Sequence, residues 1–378
     1  MPKKKTKKTD ASATNNEKLG SFLKQRAAEH YNFSDEIYYR ISTGSLLLDI
    51  HTGGGLMPGL HRFVGMNEGG KTSEAFEVMR NFLATIPDAR AVYFAAEGRL
   101  TPEMRGRTGI SFTSSAEEWS DGSCFVYESN IYESVFDLMK LLITENGENK
   151  RYLFLIDSMD ALILRDDLSK DLSECAKVSG GATLSSTFMK KVALAMTKFG
   201  HTTILISQVR ENIVIDPYAK RPIKQTSASG GNALLHYANF IFEFEARFQK
   251  DLILEKPAER PDISKNKILG HYAKVAIKKS PNEKTNLTIQ YPVKYGRTGG
   301  KSIWKEYEVI DLLLENGMMD KRGAWIKVEP SVLEEMKEKG IECPEQFQGR
   351  AKLFDFLESN SEFTDYWFEK FKNVFCDL

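Results

Sequence analysis

The segment GMNEGGKTS, residues 65–73, constrains the fold of this chain more than any other feature. It fits the pattern G-x-x-x-x-G-K-[ST], with Gly65, Gly70, Lys71 and Thr72 at the required positions. A strand-like apolar segment, LHRFVG, precedes it, and SEAFEVMRNFLATI after it carries apolar residues at helical spacing. Strand, glycine loop and helix in this order aim a helix N-terminus at an anion. The segment therefore predicts a phosphate-binding loop in an α/β fold, with an inert glycine-rich turn as the less favoured alternative.

The residues of this loop have predicted roles in holding a nucleotide. Glycines let backbone N–H groups turn inward on a phosphate, Lys71 reaches the outer phosphates, and the Thr72 hydroxyl ligates magnesium. The predicted nucleotide contacts are the consecutive residues Gly65, Met66, Asn67, Glu68, Gly69, Gly70, Lys71, Thr72 and Ser73.

Strand-like and helical segments alternate from Gly44 to about Arg247. The expected strands are HRFVG, ARAVYFAAE, SCFVYES, RYLFLIDS, TTILISQV and NFIFEFEA, followed later by YAKVAIKKS and NLTIQYPVKYG. Nearly continuous apolar strands that alternate with helices favour a mostly parallel sheet covered on both faces. We expect an α/β core with a mostly parallel central sheet flanked by helices.

The chain is predicted to contain four regions. A basic tail (1–18) precedes a short helix and strand (19–43) that we expect to contact another subunit. The ATPase-like core covers 44–328, and 329–378 is expected to be a small helical appendage. The tail begins MPKKKTKK, which favours a solvated disordered segment over a DNA-binding arm. The polar stretch 249–271 is expected to be a mobile insertion in the core.

Bulk properties exclude several classes of protein. The chain has 378 residues, 41% of them hydrophobic, and a formal net charge of zero, so global charge gives no support to nucleic-acid binding. Neither an apolar run of membrane-spanning length nor a secretory signal is evident. Cys124, Cys175, Cys343 and Cys376 form no CxxC pair, which indicates free thiols in a reducing compartment.

Three polar side chains are predicted to stand at strand ends beside the loop. Asp157 ends the apolar run YLFLID and is predicted to support Mg²⁺ through water. Glu97, in FAAEGRLTPE, is placed to polarise a water for attack on the terminal phosphate, with an ordinary surface glutamate as the alternative. Gln208, in LISQV, is placed to sense that phosphate, although a strand-end glutamine has many other uses.

Two irregular stretches are predicted to meet a common ligand at the same end of the sheet. One covers 165–186, and the other, about twenty residues long, begins near Arg210 and ends at the pair Gly230–Gly231. A long structureless loop in a compact domain is usually functional or disordered. Basic side chains in the second stretch, Arg210, Lys220, Arg221 and Lys224, are predicted to meet phosphates.

Together these segments resemble the RecA family of strand-exchange recombinases. The resemblance runs in order from about residue 40 to the C-terminus. It is carried by ISTGSLLLDIHTGGGLMPGLHRFVG, AAEGRLTP, LFLIDSMDAL, ISQVRENI, GGNAL, GAWIKV and FQGRAKLFDFLESN. The short, divergent chain is also similar to phage recombinases of the UvsX type. The resemblance implies an ATP- and Mg²⁺-dependent filament that assembles on single-stranded DNA and pairs it with homologous duplex DNA.

The resemblance also implies roles for individual residues. Lys71, Glu97 and Gln208 would be catalytic, with Gln208 coupling the terminal phosphate to the second DNA loop, while Thr72 and Asp157 would hold the metal. Lys278 and Lys279 would reach the ATP of a neighbouring subunit. The implied DNA contacts are Lys177, Ser179, Gly180, Gly181, Lys190, Arg210, Ile213, Lys220, Arg221, Lys224, Gly230, Gly231 and Asn232.

Three positions depart from the family pattern. Met104 stands where the family stacks an aromatic ring on adenine, Thr183 replaces an arginine of the first loop, and His236 replaces an interface phenylalanine. The expected base selectivity is therefore weak, and the usual coupling between ATP and DNA is in doubt. A loader or single-strand-binding protein is a further expected partner, and the expected location is the cytoplasm of a bacterial cell, or of a host if a phage encodes the chain.

Other functions remain open at this stage. A ring helicase or branch-migration ATPase, a poorly hydrolysing filament or mediator protein, and a small-molecule kinase are the alternatives. Branch-migration relatives carry an N-terminal zinc ribbon, which the four cysteines cannot form. DNA-stimulated hydrolysis would separate a recombinase from the kinase.

Overall fold

The computed structural model describes residues 14–33, 35, 37–170, 180–214, 223–228, 231–256 and 265–376. The helices are α1 (Asn15–Gln25), α2 (Leu46–Thr52), α3 (Lys71–Thr85), α4 (Pro102–Thr108), α5 (Tyr132–Thr144), α6 (Gly180–Lys198), α7 (Gly231–Tyr237), α8 (Lys305–Glu315), α9 (Pro330–Lys339), α10 (Gly349–Ser359) and α11 (Ser361–Cys376). No helix among the described residues is long and apolar enough to cross a membrane.

The described residues also form fourteen strands. They are β1 (Gly59–Gly65), β2 (Ala89–Ala95), β3 (Ser111–Thr113), β4 (Ser123–Tyr127), β5 (Arg151–Asp157), β6 (Thr202–Val214), β7 (Ile223–Ala228), β8 (Ala238–Phe244), β9 (Leu252–Leu254), β10 (Ile268–Lys279), β11 (Leu287–Lys294), β12 (Met319–Arg322), β13 (Trp325–Val328) and β14 (Gln346–Gln348).

The central sheet has the predicted α/β architecture. Its strand order is β11-β10-β8-β1-β6-β5-β2-β4-β3, with β7 paired to β6 and β9 paired to β10. The run from β8 to β3 is parallel, whereas β10 and β11 form an antiparallel edge. All eight strands that the sequence indicates for this sheet are present. Every residue of β1 is buried, as expected for a strand covered on both faces.

The N-terminal unit, which ends at Ile37, is described by itself. Helix α1 begins with a capping box: the Glu17 N–H donates to Thr14 Oγ1 at 3.3 Å, and the Thr14 N–H donates to Glu17 Oε2 at 2.6 Å. Leu19 and Phe22 on this helix are exposed. The short helix predicted within 19–43 is present as α1, which begins earlier, at Asn15, ends at Gln25 and is followed by one 3₁₀ turn.

Three sequence predictions need correction. The strand expected in EIYYRIST is an isolated bridge, Ile41 with Leu56. The second long loop is not structureless, because β6 continues to Val214 and pairs antiparallel with β7. In the polar stretch 249–271, β9 pairs with β10. Residues 215–222 and 257–264 lie outside the described residues.

The C-terminal region contains a second sheet in addition to the two predicted helices. Strands β12, β13 and β14 form this antiparallel sheet; in the chain, α9 lies between β13 and β14, and α10 and α11 follow β14. An apolar cluster that includes Phe347, Leu353 and Trp367 is formed here. The predicted domain boundaries, including the one at residue 329, stay predictions.

Helix α2 connects this cluster with the core of the central sheet. Leu48 belongs to the central core, Leu46 to the C-terminal cluster, and Leu47 packs against both. The N-terminal turn of α2 is capped from α8, since Glu308 accepts hydrogen bonds from the N–H groups of Leu46 and Leu47 at 3.0 and 3.3 Å. Burial raises the pKa of the Glu308 carboxyl to about 7.

Candidate functional site

The loop between β1 and α3 has the backbone of a phosphate cradle. Gly65 has a φ of 144°, and a Cβ there would lie 2.2 Å from the carbonyl oxygen of Phe244, because β8 runs directly alongside β1. Gly70, at the N-cap of α3, has a φ of 102°. Both conformations favour glycine, which leaves the loop N–H groups and the start of a helix of 15 residues facing the same cavity.

Lys71 lies at the first position of α3 with its side chain folded back on the loop. Its Nζ donates to the carbonyl oxygens of Gly65 at 3.0 Å and Met66 at 2.6 Å. The residue is 8% exposed, and burial lowers the pKa of its amine. A partly desolvated cation with carbonyl partners is well placed to exchange them for the oxygens of a phosphate.

Thr72 and Asp157 meet across the sheet edge. Thr72 Oγ1 donates to Asp157 Oδ2 at 3.0 Å, and the Tyr93 hydroxyl approaches the same oxygen at 3.3 Å. Burial raises the pKa of Asp157 above its ordinary value. A hydroxyl and one carboxylate are oxygen donors of the kind that Mg²⁺ takes from proteins when substrate phosphates and water complete its coordination.

Glu97 and Gln208 complete the polar rim. One Glu97 carboxylate oxygen accepts from the Ser158 hydroxyl, and the other lies 3.1 Å from Arg99 Nε. Gln208 is in register with Gly65, and its N–H donates to Asp160 Oδ2 at 2.7 Å. All the strands concerned are parallel, so their carboxyl ends bring these side chains to one edge. The structure thus brings Lys71, Thr72, Glu97, Asp157 and Gln208 into the lining of one cavity.

A second, smaller cavity adjoins the phosphate cavity. Its volume is about 210 Å³, and we call it the inner chamber. The two cavities share the lining residues Gly70, Ser73, Met104, Arg107 and Arg247. Beyond this shared mouth the chamber is lined on one side by α3 and on the other by strands β10 and β11.

The model of the RecA N-terminal domain matches residues 26–285, which is more than half of the chain. This chain belongs to the RecA family. It is 26% identical over 302 residues to Protein RecA of Frankia casuarinae, covering 79% of this chain and 76% of that protein. It is also 26% identical over 339 residues to Protein RecA of Bifidobacterium breve, covering 89% and 74%.

The candidate DNA contacts of this RecA-family chain are only partly described. Gly180 and Gly181 lie at the start of α6, so the helix begins inside the predicted first loop, and Lys190 is exposed on α6. Arg210 and Ile213 lie on β6, Lys224 on β7, and Gly231 and Asn232 at the start of α7. Outside the described residues lie Lys177, Ser179, Lys220, Arg221 and Gly230.

The two candidate interface lysines of the RecA-family chain lie on β10, away from the phosphate cavity. Lys278 pairs with Glu243 at 3.1 Å and is about half exposed. Lys279 donates to the carbonyl oxygens of Leu235 and His236, both at 2.8 Å. Neither lysine lines the phosphate cavity of its own chain, and their role toward another subunit stays a prediction.

Several residues at this RecA-family site escaped the sequence analysis. Arg247 donates to the Glu68 carbonyl and to the Tyr295 hydroxyl, both at 3.3 Å. Arg247 follows β8, which neighbours β1, and this position in the sequence could have indicated that Arg247 lies near the phosphate loop. Tyr93 and Ser158 carry no motif that distinguishes them. Met104 lines the mouth of the inner chamber, and its predicted contact with the base stays a prediction.

Proposed function

We propose that this chain is a DNA-dependent ATPase that forms a filament on single-stranded DNA and promotes homologous pairing and strand exchange. The observation that carries the proposal is the convergence of Lys71, Thr72, Glu97, Asp157 and Gln208 on one cavity at the carboxyl edge of a parallel sheet. Membership of the RecA family supports the same activity.

Each side chain has a defined task in this proposal. The loop N–H groups and Lys71 bind the outer phosphates, while Glu97, oriented by Ser158 and Arg99, accepts a proton from the attacking water. Both Glu97 oxygens have protein partners in the absence of substrate. Catalytic groups often reach their productive hydrogen bonds only when substrate binds, so these partners are consistent with the role. Gln208 lies on the strand that continues into the β6–β7 hairpin.

Thr72 and Asp157 would hold Mg²⁺, which supplies neutralisation of phosphate charge when bound. The described residues contain no group of three or more His, Cys, Asp or Glu side chains that could hold a metal ion. A dedicated zinc-type site is therefore not favoured there. One carboxylate and one hydroxyl match the sparse protein ligand set of a magnesium ion that binds together with a nucleotide.

The two cavities would divide the nucleotide between them. Phosphates would occupy the cavity above Lys71, and the base would enter the inner chamber past Met104. Segments 165–186 and 210–231 would contact DNA, and Lys278 and Lys279 would complete the site of the neighbouring subunit in the filament. Single-stranded DNA, homologous duplex DNA and a loader or single-strand-binding protein are the proposed partners, in the cytoplasm.

ATP hydrolysis measured with and without single-stranded DNA, at low salt and across protein concentration, tests the proposal. A rate that rises steeply with both DNA and protein concentration is expected, because the site is completed between subunits. A rate independent of DNA would overturn the recombinase assignment. DNA stimulation accompanied by duplex unwinding without strand exchange would favour a helicase instead.

A further inference from the structure

The side chain of Glu74 stands out in the inner chamber. Glu74 follows Ser73 on α3 and lines the chamber, yet it is only 2% exposed. Its Oε2 accepts a hydrogen bond from the Tyr291 hydroxyl at 2.6 Å. Its Oε1 is buried and has no hydrogen-bond partner among the described residues. A buried polar atom without a partner costs about 1–3 kcal/mol, so its retention calls for an explanation.

None of the described neighbours of Glu74 forms a hydrogen bond with its Oε1. Glu77, one turn further along α3, is engaged by Arg80, and the Tyr291 hydroxyl is directed at Glu74 itself. A carboxyl oxygen keeps a lone pair in either protonation state, so Oε1 can accept a hydrogen bond whatever the charge of the group. A hydrogen-bond donor on a ligand can therefore satisfy Oε1.

The position of the chamber restricts which donor can reach it. Its mouth is shared with the cavity above Lys71 and is formed by Gly70, Ser73 and Met104 among others. With its phosphates on the loop and its base near Met104, as the family resemblance implies, a nucleotide would extend toward this mouth. Apolar side chains of the chamber, Phe76, Val293 and Ile303, suit a flat ring.

We propose that Glu74 selects the base of the bound nucleotide, its free Oε1 accepting a hydrogen bond from the exocyclic amino group of an adenine. The inference rests on the proposed function, since it requires the nucleotide to bind on the phosphate loop. Discrimination among bases would then depend on the hydrogen bond to Glu74, because Met104 at the mouth of the chamber offers no hydrogen bond. A site built to bond an amino group disfavours an analogue that lacks it.

Competition binding with the full chain tests this assignment. Three unlabelled competitors would displace labelled ATP: ATP, inosine triphosphate with an oxo group at C6, and purine riboside triphosphate with hydrogen there. The wild-type chain is expected to bind ATP about 10-fold more tightly than either analogue, which corresponds to one buried hydrogen bond.

The variants isolate Glu74 from its partner. Glu74→Leu with Tyr291→Phe removes both polar groups together, so that no hydroxyl is left unpaired, and is expected to bind the three nucleotides within about 2-fold of one another. Tyr291→Phe alone retains Oε1 and is expected to keep the preference for ATP. Thermal unfolding followed by circular dichroism verifies that each variant is folded.

The outcomes separate the two proposals. Equal binding of the three nucleotides by the wild-type chain, or a preference for ATP that survives in the double variant, would overturn the role of Glu74 and leave the proposed function standing. Absence of nucleotide binding by the wild-type chain would overturn both. Lys71→Ala removes a contact to the phosphates, which the three nucleotides share, and is expected to weaken the binding of all three by the same factor.

Discussion

The hydroxyl of Tyr93 lies 3.3 Å from Oδ2 of Asp157, the oxygen that also accepts the hydrogen bond from Thr72. Tyr93 is buried in the middle of the sheet, on β2 next to β5. The candidate metal carboxylate is thus oriented from two sides, by a residue of the phosphate loop and by a residue of a neighbouring strand.

Tyr93→Phe is therefore expected to lower the affinity of the site for Mg²⁺. Without the hydroxyl, the Asp157 carboxylate loses one of the two donors that orient it. The Mg²⁺ concentration for half-maximal hydrolysis should therefore rise about 10-fold, which is the smallest effect usually seen when a residue that supports a metal ligand is removed. The measurement is an Mg²⁺ titration of hydrolysis at saturating ATP. An unchanged midpoint would show that Thr72 alone orients Asp157.

Glu97→Gln separates binding from chemistry. The amide keeps the size of the side chain but cannot accept a proton, so hydrolysis should fall about 10²–10⁴-fold while ATP binding stays nearly normal. Lys71→Ala should reduce both, because its amine is expected to bind the phosphates. ATP binding and hydrolysis are measured in parallel for both variants. Near-normal turnover in Glu97→Gln would exclude Glu97 as the catalytic base.

Lys278→Ala with Lys279→Ala tests whether the site is shared between subunits. Both lysines lie on β10 away from the phosphate cavity of their own chain, so hydrolysis in the assembled state should fall while ATP binding by the monomer is retained. Lys337→Ala, an exposed lysine of α9, serves as the matched control. Equal loss of hydrolysis and of monomer binding would contradict a shared site.

His201 predicts a specific loss of stability in acid. It is fully buried, its Nδ1 accepts the Tyr152 N–H at 3.2 Å, and burial lowers its pKa to about 3. The unfolded chain takes up a proton near pH 6.5, whereas the folded chain does not until near pH 3, so folding weakens as pH falls through that window.

The variant His201→Asn keeps an acceptor for Tyr152 but does not titrate. Between pH 6.5 and 4 its free energy of unfolding should fall by about 3 kcal/mol less than that of the wild-type chain, as measured by urea denaturation at each pH. His61, also buried, has a pKa lowered to about 4 and contributes in the same direction in both proteins, so a residual slope is expected. Identical slopes would show that His201 does not drive the acid sensitivity.

The parallel core was predictable because its signals are local. A glycine loop between a strand and a helix, and apolar runs that end in Asp157 and Gln208, follow from spacing and from the edge where parallel strands end. The mixed sequence of the β6–β7 hairpin was less informative. Arg and Lys on extended strands look like loop residues when their pairing is unknown, since pairing is a non-local property.

The supporting side chains of the site were beyond sequence reasoning for a different reason. Tyr93, Glu74 and Tyr291 act through contacts between positions 64 and 217 residues apart in the chain. No periodicity encodes such contacts, because they depend on which strands become neighbours and in what register. Glu74 in particular occupies a buried position of α3 where an apolar residue is the ordinary expectation.

Helix α2 makes the C-terminal region inseparable from the rest of the molecule. With Leu48 in one core, Leu46 in the other and its first turn capped by Glu308, this helix of seven residues is common to both cores. Truncation before residue 329 would expose Leu46 of α2 and Val309 of α8 to water, and α2 lies just upstream of the strand that leads into the phosphate loop. Loss of hydrolysis in a shortened chain would therefore reflect damage to the central core rather than a role of the C-terminal region itself.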